Sequence, residues 1–516
     1  MGEMTKTAGY NGWPGGLFSS DDQLTVPPEF LLQADNVVIG DRGVLKPRPG
    51  LVAYGNYLDD YIIGIFCDST LYVSTADKKL TKVSGPTVLK TYTNGGRGQF
   101  VKFKDKYCHS NGKDTMQVWT DVSATSSDAF GSPPLSRLLE VHNDRVFAAV
   151  GTTLYETEPD QAPDASTDYW ATGASWAINA GSGKPITAIK SLGKQGLFVF
   201  NRDEIWVQAG YTKQERQTRL HIPGTGTIAP DSLQALKLAG FGDCIVFLGT
   251  NKKLYAVNLS GIIEIGSQVQ AELDDIYEGS VADDTVPANE VKHRAVSAVH
   301  PNGWYLLGYA RTATATEAAW DRCLCLHVDK PIEGGVWPFT RWVKVTGAPY
   351  EFPVSFAAMA AVYDTSRKSV MIGQKQTDDE YEVFMVRPDY EYDYDPYCSG
   401  RDTMYLPWVL KTINDNFGDD MILKTFQEVV VYSSRTRTGY VPFQFDQTID
   451  TDTTQQSSIA IGPTVVTVNK VYRSKANLEN TGSRVSITIK TNPTISNAYG
   501  YSLIGMEIRY LPAGLP

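Results

Sequence analysis

Apolar positions along this chain fall into short runs separated by polar turns, and very few stretches carry a helical stripe for more than two turns. Between Tyr61 and Val386 one pattern recurs about seven times. It consists of a short apolar run, a polar turn, a second apolar run and an aromatic-bearing strand. The clearest copy reads Ile186-Thr-Ala-Ile-Lys190, Gly196-Leu-Phe-Val-Phe200 and Glu204-Ile-Trp-Val-Gln208. The next runs through Leu233–Lys237, Asp243–Leu248 and Lys253–Val257, and an earlier one through Leu138–His142, Arg145–Val150 and Thr153–Thr157. Weaker copies lie at Tyr61 to Ser74, Phe100 to Trp119, Ala295 to Val343 and Ala357 to Val386. A period of roughly 40 to 50 residues built from three or four strands predicts the blades of a β-propeller, here six or seven of them.

Two regions flank the repeats. Residues 1–50 are rich in Gly and Pro and read as an N-terminal arm packing on the ring or on a neighbour. Within it Asn36 to Ile39 and Gly43 to Leu45 are expected as strands about a Gly40-Asp-Arg-Gly43 turn, and Phe30 to Asp35 as one helical turn. The propeller is assigned to 51–400. Past Pro396 the pattern changes, and 401–516 predicts an antiparallel β-sandwich with strands at Met404 to Lys411, Thr425 to Tyr432, Tyr440 to Phe445, Ser458 to Val471, Arg484 to Thr491 and Ser502 to Tyr510. The class is all-β. Long polar loops at Thr120 to Leu135, Glu158 to Lys184, Tyr211 to Asp231, Asp274 to Glu290 and Ala310 to Trp320 are the expected contact surfaces.

Composition supports a folded β protein: 42% of residues are hydrophobic, with 28 Tyr, 19 Phe and 10 Trp to cover pleated faces. The net charge of −11 disfavours a phosphate-gripping surface, which needs clustered Lys and Arg, and suits a wall past which DNA slides. Met1 to Tyr10 has no apolar core of a secretory signal, and no window is long and apolar enough to span a membrane. Six cysteines are scattered, at 67, 108, 244, 323, 325 and 398, without a zinc-type pair of pairs. They are expected to be small buried hydrophobes in a reducing compartment.

The catalytic inventory is thin. Ala180-Gly-Ser-Gly-Lys-Pro185 misses the first glycine and the Ser/Thr of a phosphate loop. The histidines at 109, 142, 221, 293, 300 and 327 lack metal-hydrolase spacing, and no Gly-x-Ser-x-Gly elbow occurs. Cys108 and His109 point to opposite faces of a strand. The run Asp389, Glu391, Asp393, Asp395 places four carboxylates on one strand face with Tyr390, Tyr392 and Tyr394 opposite. That face is a candidate calcium site, or a solvated acidic face over buried tyrosines. Asp274-Asp275 and Asp283-Asp284 supply the carboxylate pairs a propeller glycosidase would need, and Trp320, Trp337 and Trp342 either stack on sugars or fill a core. Lys102, Lys104 and Lys106 along one strand face, and Arg42, Lys46 and Arg48 in the arm, read as solvated edges that discourage sheet aggregation.

Gly15-Gly-Leu17, Ala34-Asp-Asn-Val37 and Gly43-Val-Leu-Lys-Pro-Arg-Pro-Gly50 together resemble the opening of many tailed-phage structural proteins. Gly334-Gly-Val-Trp-Pro-Phe-Thr-Arg-Trp342 and the closing Ile504-Gly-Met-Glu-Ile-Arg-Tyr510 are similar to segments of the same group. The resemblance is to the tail nozzle, or tail tubular B-type, proteins of short-tailed bacteriophages. It implies a virion structural protein assembled in the host cytoplasm: a hexameric ring at the distal end of the tail, contacting adaptor and fibre proteins, with double-stranded DNA passing through its lumen. It implies no enzyme activity, catalytic residue, cofactor or metal. Asp283, Asp284 and the 389–395 run are then expected to line the lumen. A neck or hub ring elsewhere in the tail, a carbohydrate-binding or carbohydrate-cleaving propeller, and a peptide-binding adaptor are the alternatives.

Overall fold

The computed structural model describes residues 6–19, 26–55, 58–83, 85–170, 173–178, 183–212, 214–279, 292–312, 320–332, 335–343, 356, 358–362, 369–375, 381–387, 392–393, 404–405, 409–412, 424–435, 441–449, 452–461, 471–482, 484–491 and 501–512. Six separate four-stranded antiparallel sheets follow the repeat, and a further four-stranded meander, Ala295–His300 to Phe339–Val343, begins a ten-stranded sheet. These are the blades. Their first strands are Ile62–Cys67, Gln99–Phe103, Leu138–His142, Ala188–Ser191, Gln234–Leu238, Ala295–His300 and Met359–Ala361. Each neighbours the next, and the last returns to the first, so they form the inner wall of a closed seven-bladed β-propeller.

The continuous apolar runs exist because each blade is buried on both faces. In Leu197–Phe200 of the fourth blade, Leu197 and Val199 pack with Phe147 and Ala149 of the third. Phe198 and Phe200, on the opposite face, pack with Ile245 and Phe247 of the fifth. Similar apolar layers separate the other neighbouring blades. The layer between the fifth and sixth blades is larger, because it merges with the leader and with C-terminal strands.

Closure uses the two ends of the repeat region. The outer strand of the seventh blade is Gly50–Ala53, which pairs antiparallel with Tyr381–Arg387 in the register Leu51 to Val386. Leu51 and Val386 are fully buried there.

The leader is woven into the body. Phe30–Asp35 is a strand, not the expected helical turn: it pairs in parallel with Gly16–Leu17 and antiparallel with Val409–Thr412. Burial of Leu31 and Ala34 in that ladder outweighs local helix preference. Val37–Ile39 and Leu45–Pro47 form the expected hairpin. That hairpin joins a six-stranded sheet with Lys424–Arg435, Val471–Gly482, Tyr501–Pro512 and Lys6–Tyr10. Four other C-terminal strands, Val409–Thr412, Val441–Ile449, Asp452–Ile461 and Val485–Thr491, together with the leader strands Gly16–Leu17 and Phe30–Asp35, extend the sixth-blade sheet to ten strands. Val429, Val431, Met506 and Ile508 of the first sheet share one core with Leu410, Ile487 and Ile489 of the second, the arrangement of a β-sandwich. The single strand expected at Ser458 to Val471 is instead parts of two, Asp452–Ile461 and Val471–Gly482, in different sheets. Among the described residues no helix is long and apolar enough to cross a membrane.

Candidate functional site

Two polar assemblies stand out: a junction that ties the leader to the ring, and a well on the propeller axis. The junction is built by the motifs singled out in the leader. Asn36 adopts a left-handed conformation, φ 56°, and turns the chain from the ten-stranded sheet into the six-stranded one. Asn tolerates this conformation better than most residues. Its Oδ1 accepts from Val343 N at 3.1 Å and from Arg48 Nε at 3.3 Å. Gly16, at φ 70°, lies so close to the sixth blade that a Cβ would sit 2.3 Å from Phe339 O. Arg48, expected on a solvated edge, is only 1% exposed: it donates to Pro49 O at 2.9 Å and lies over Trp342.

Asp35, the residue before that corner, opens a buried charge network. Arg341 of the sixth blade donates to Asp35 through Nε at 2.7 Å and through Nη2 at 3.0 Å, and its Nη1 pairs with Glu272. Glu272 also accepts from Arg322 at 2.8 Å and from Tyr309 Oη at 2.7 Å. Burial opposes ionisation of Glu272, but Arg341, Tyr309 and Arg322 outweigh it and hold its pKa below the usual carboxylate value. Burial likewise opposes the charge on Arg341, and Asp35 and Glu272 raise its pKa above the ordinary guanidinium value. Two carboxylates meet two guanidiniums in a largely buried setting, which is an interlock between leader and ring.

The axial well is a cavity of about 200 Å³ to which all seven inner walls contribute. Its lining includes the apolar Ile63, Ala358 and Ala360 and the polar Arg97, Gln99, Glu140, Lys190, Asp231 and Gln234. Lys190 Nζ donates to Glu140 Oε2 at 3.2 Å. Asp231 pairs with Arg137, and Gln99 Oε1 accepts from Leu139 N at 3.0 Å. Burial raises the Glu140 pKa, with Lys190 partly offsetting the shift. Arg97 lies over Trp320 at 5.3 Å, and Arg294 over the same ring at 5.2 Å.

The residues proposed from sequence fare differently. Asp389, Glu391 and Asp395 lie outside the described residues, as do Asp283 and Asp284. Asp393 falls in the short strand Tyr392–Asp393, paired with Met404–Tyr405. Asp274 and Asp275 are exposed at the end of a short helix, where Asp274 Oδ1 accepts from Gln270 Nε2 at 2.8 Å. Trp320, Trp337 and Trp342 are buried in the ring, so they pack and present no sugar-stacking face. Lys102, Lys104 and Lys106 do not share a strand, because the chain turns between Phe103 and Lys106. Each of them meets an aspartate instead: Asp68, Asp160 and Asp164 respectively. Cys67, Cys108, Cys244, Cys323 and Cys325 are buried free thiols. Burial holds His109 and His327 near pKa 3, and His142, His293 and His300 near 4, so all five are neutral imidazoles at pH 7. Among the described residues no three His, Cys, Asp or Glu side chains are placed to hold a metal ion.

Sequence reasoning missed Arg341, Glu272 and the well residues. Arg341 lies inside the Gly334–Trp342 segment already noted, and an arginine within a strand flanked by buried aromatics was the available signal. The well had no such signal, since its groups come from several separate blades.

No protein-family model matches the chain, and no curated protein matches it. Among solved structures it is similar to the computationally designed Ika8 protein, at 13% identity and TM-score 0.35, over 66% of this chain and 100% of that one. It is also similar to BamB from Moraxella catarrhalis, at 10% identity and TM-score 0.36, over 74% of this chain and 100% of that one. An exo-beta-1,3-galactanase from Phanerochaete chrysosporium matches at 10% identity and TM-score 0.25, over 81% of this chain and 98% of that one. Likenesses at this level assign neither an activity nor a partner.

Proposed function

We propose that this chain is a structural protein of a phage tail, a ring-forming nozzle through which the genome passes and on which other tail parts dock. The observation that carries the reading is the position of the leader motifs. Gly15–Leu17, Ala34–Val37 and Gly43–Gly50, the segments that resemble the nozzle proteins, are the ones that interlock propeller and C-terminal sheets. A part under mechanical load benefits from such an interlock, since its two ends cannot peel away separately.

The propeller's own axis is not the conduit. A well of about 200 Å³ lined by the Lys190–Glu140 pair is far smaller than a DNA duplex. The passage therefore lies between copies of the chain, joined by heterologous contacts that close into a ring. Six copies at −11 each give the assembly an acidic character that keeps DNA from adhering. The role is geometric and electrostatic, with no chemical step.

Cryo-electron microscopy of purified particles tests this. The reading predicts density for the chain as a closed ring on the tail axis. Particles that lack the chain, or carry it only at the periphery, would overturn it.

A further inference from the structure

Eight large apolar side chains are exposed among the described residues, and all of them belong to blades one to five or the loops between them. Single exposed apolar residues are ordinary, but five of these eight fall into two groups with opposite surroundings. The first group, Phe130, Leu135 and Val150, lies between blades two and three. Ser136 Oγ accepts from Ala149 N at 3.2 Å, which sets Leu135 beside Val150, and half-buried Pro133 and Pro134 continue the apolar surface back towards Phe130. Asp128 and Asp164 at its border pair with Lys90 and Lys106, and Asp168, which accepts from Ser132 N at 3.0 Å, makes the border net acidic.

The second group joins blades four and five. Leu220 stands on Gln217–Pro223, the open outer strand of blade four, and Leu259 follows Leu254–Asn258 of blade five. Their sequence neighbours hold them close, since His221 Nε2 donates to Asn258 O at 2.7 Å. Leu259 N donates to Gln195 Oε1 at 3.4 Å, which brings Lys194 alongside. Lys194 and Arg219 are both exposed, and neither meets a carboxylate among the described residues. Asp243, at the same end of blade five, faces Lys237 across its strand pair, so this border is net basic.

We propose that these two surfaces form the contact between successive copies of the chain, with the Leu220–Leu259 group of one copy seated on the Phe130–Leu135 group of the next. The inference rests on the ring-forming reading of the chain and names its interface. An apolar centre meets an apolar centre, and a basic rim meets an acidic one. Copies of net charge −11 repel each other, so a contact between them needs such a local reversal of sign. The groups sit two blades apart, about 100° around a seven-bladed ring. They therefore face different neighbours, as a heterologous contact requires.

Size-exclusion chromatography with light scattering on the full chain, at low salt, tests this. The parent chain is expected to self-associate as its concentration rises. Leu135→Asp and Leu220→Asp should each weaken that association about tenfold or more. Mixed in equal amounts, the two variants should form dimers and nothing larger, because each retains the surface that the other has lost. That rescue also establishes that both variants are folded. Val122→Asp, at an exposed apolar side chain outside both groups, should associate as the parent does. Unweakened association of Leu135→Asp and Leu220→Asp would overturn this interface and leave the ring reading standing. Variants that dissociate but fail to combine on mixing would show that the two groups do not meet, which also overturns it. A parent chain that stays monomeric at every concentration overturns the inference as well, and the tail reading is then decided by the particles alone.

Discussion

The fourth blade and the leader junction hold together in opposite ways. The blade is made of consecutive strands, Ala188–Ser191 through Gln217–Pro223, joined by short turns, and its apolar layers face the adjacent blades. The junction joins Phe30–Asp35 to Val409–Thr412 and Lys6–Tyr10 to Tyr501–Pro512, bringing both ends of the chain into shared sheets. Blades are specified locally and stabilised by a layer that recurs between neighbours. The junction is specified by long-range pairing and by one charge network. Damage to a blade should therefore stay local, whereas damage to the junction should loosen both ends together.

The largest expected effect comes from breaking the network. Arg341→Ala leaves Asp35 and Glu272 buried without their common partner, which should cost about 3–5 kcal/mol. Urea unfolding measures this, and a loss below about 1 kcal/mol, the scale of a surface ion pair, would show that the network is not load-carrying. Slightly smaller is the closure of the ring. Leu51→Ala should cost about 2–5 kcal/mol, because Leu51 is fully buried against the seventh blade. Proteolysis of this variant should then cut first between the leader and the first blade, with the central blades left intact.

Acid sharpens the same contrast. All five histidines with depressed pKa lie in the ring, in blades two, three and six or just before blade six. They are held neutral when folded and protonate near 6.5 when unfolded, so their stabilisation is complete above about 6.5 and declines as pH falls towards 4. Each should account for about 1 kcal/mol over the first pH unit below 6.5. Urea midpoints at pH 7 and 5.5 measure the sum, and a midpoint that does not fall would refute the buried neutral state. The smallest effect is expected at the exposed Lys253–Glu264 pair, where Lys253→Gln should change stability by less than about 0.5 kcal/mol.

How much of this was legible follows from the same division. The seven repeats foretold the blades, because short apolar runs separated by polar turns are local information. The outer strand Gly50–Ala53, at the boundary set between arm and propeller, was not marked as a strand, since its partner lies more than three hundred residues away in Tyr381–Arg387. Val471–Gly482 carries few apolar residues, so its sequence announced no strand, although it pairs with the neighbouring strand from Lys424 to Ser434. Arg48 was read as a solvated charge because nothing local reveals that Asn36 and Trp342 enclose it. The well was illegible for the same reason: Arg97, Glu140, Lys190 and Asp231 meet only once the ring has closed.

Hydrogen exchange of the intact chain at pH 7 tests the central claim, that leader and ring are one interlocked body, most directly. Amides of Phe30–Asp35 and Val37–Ile39 should be protected to the same degree as those of Leu197–Phe200 in the fourth blade. Leader amides that exchange as freely as an unstructured tail, while the blade amides stay protected, would contradict it.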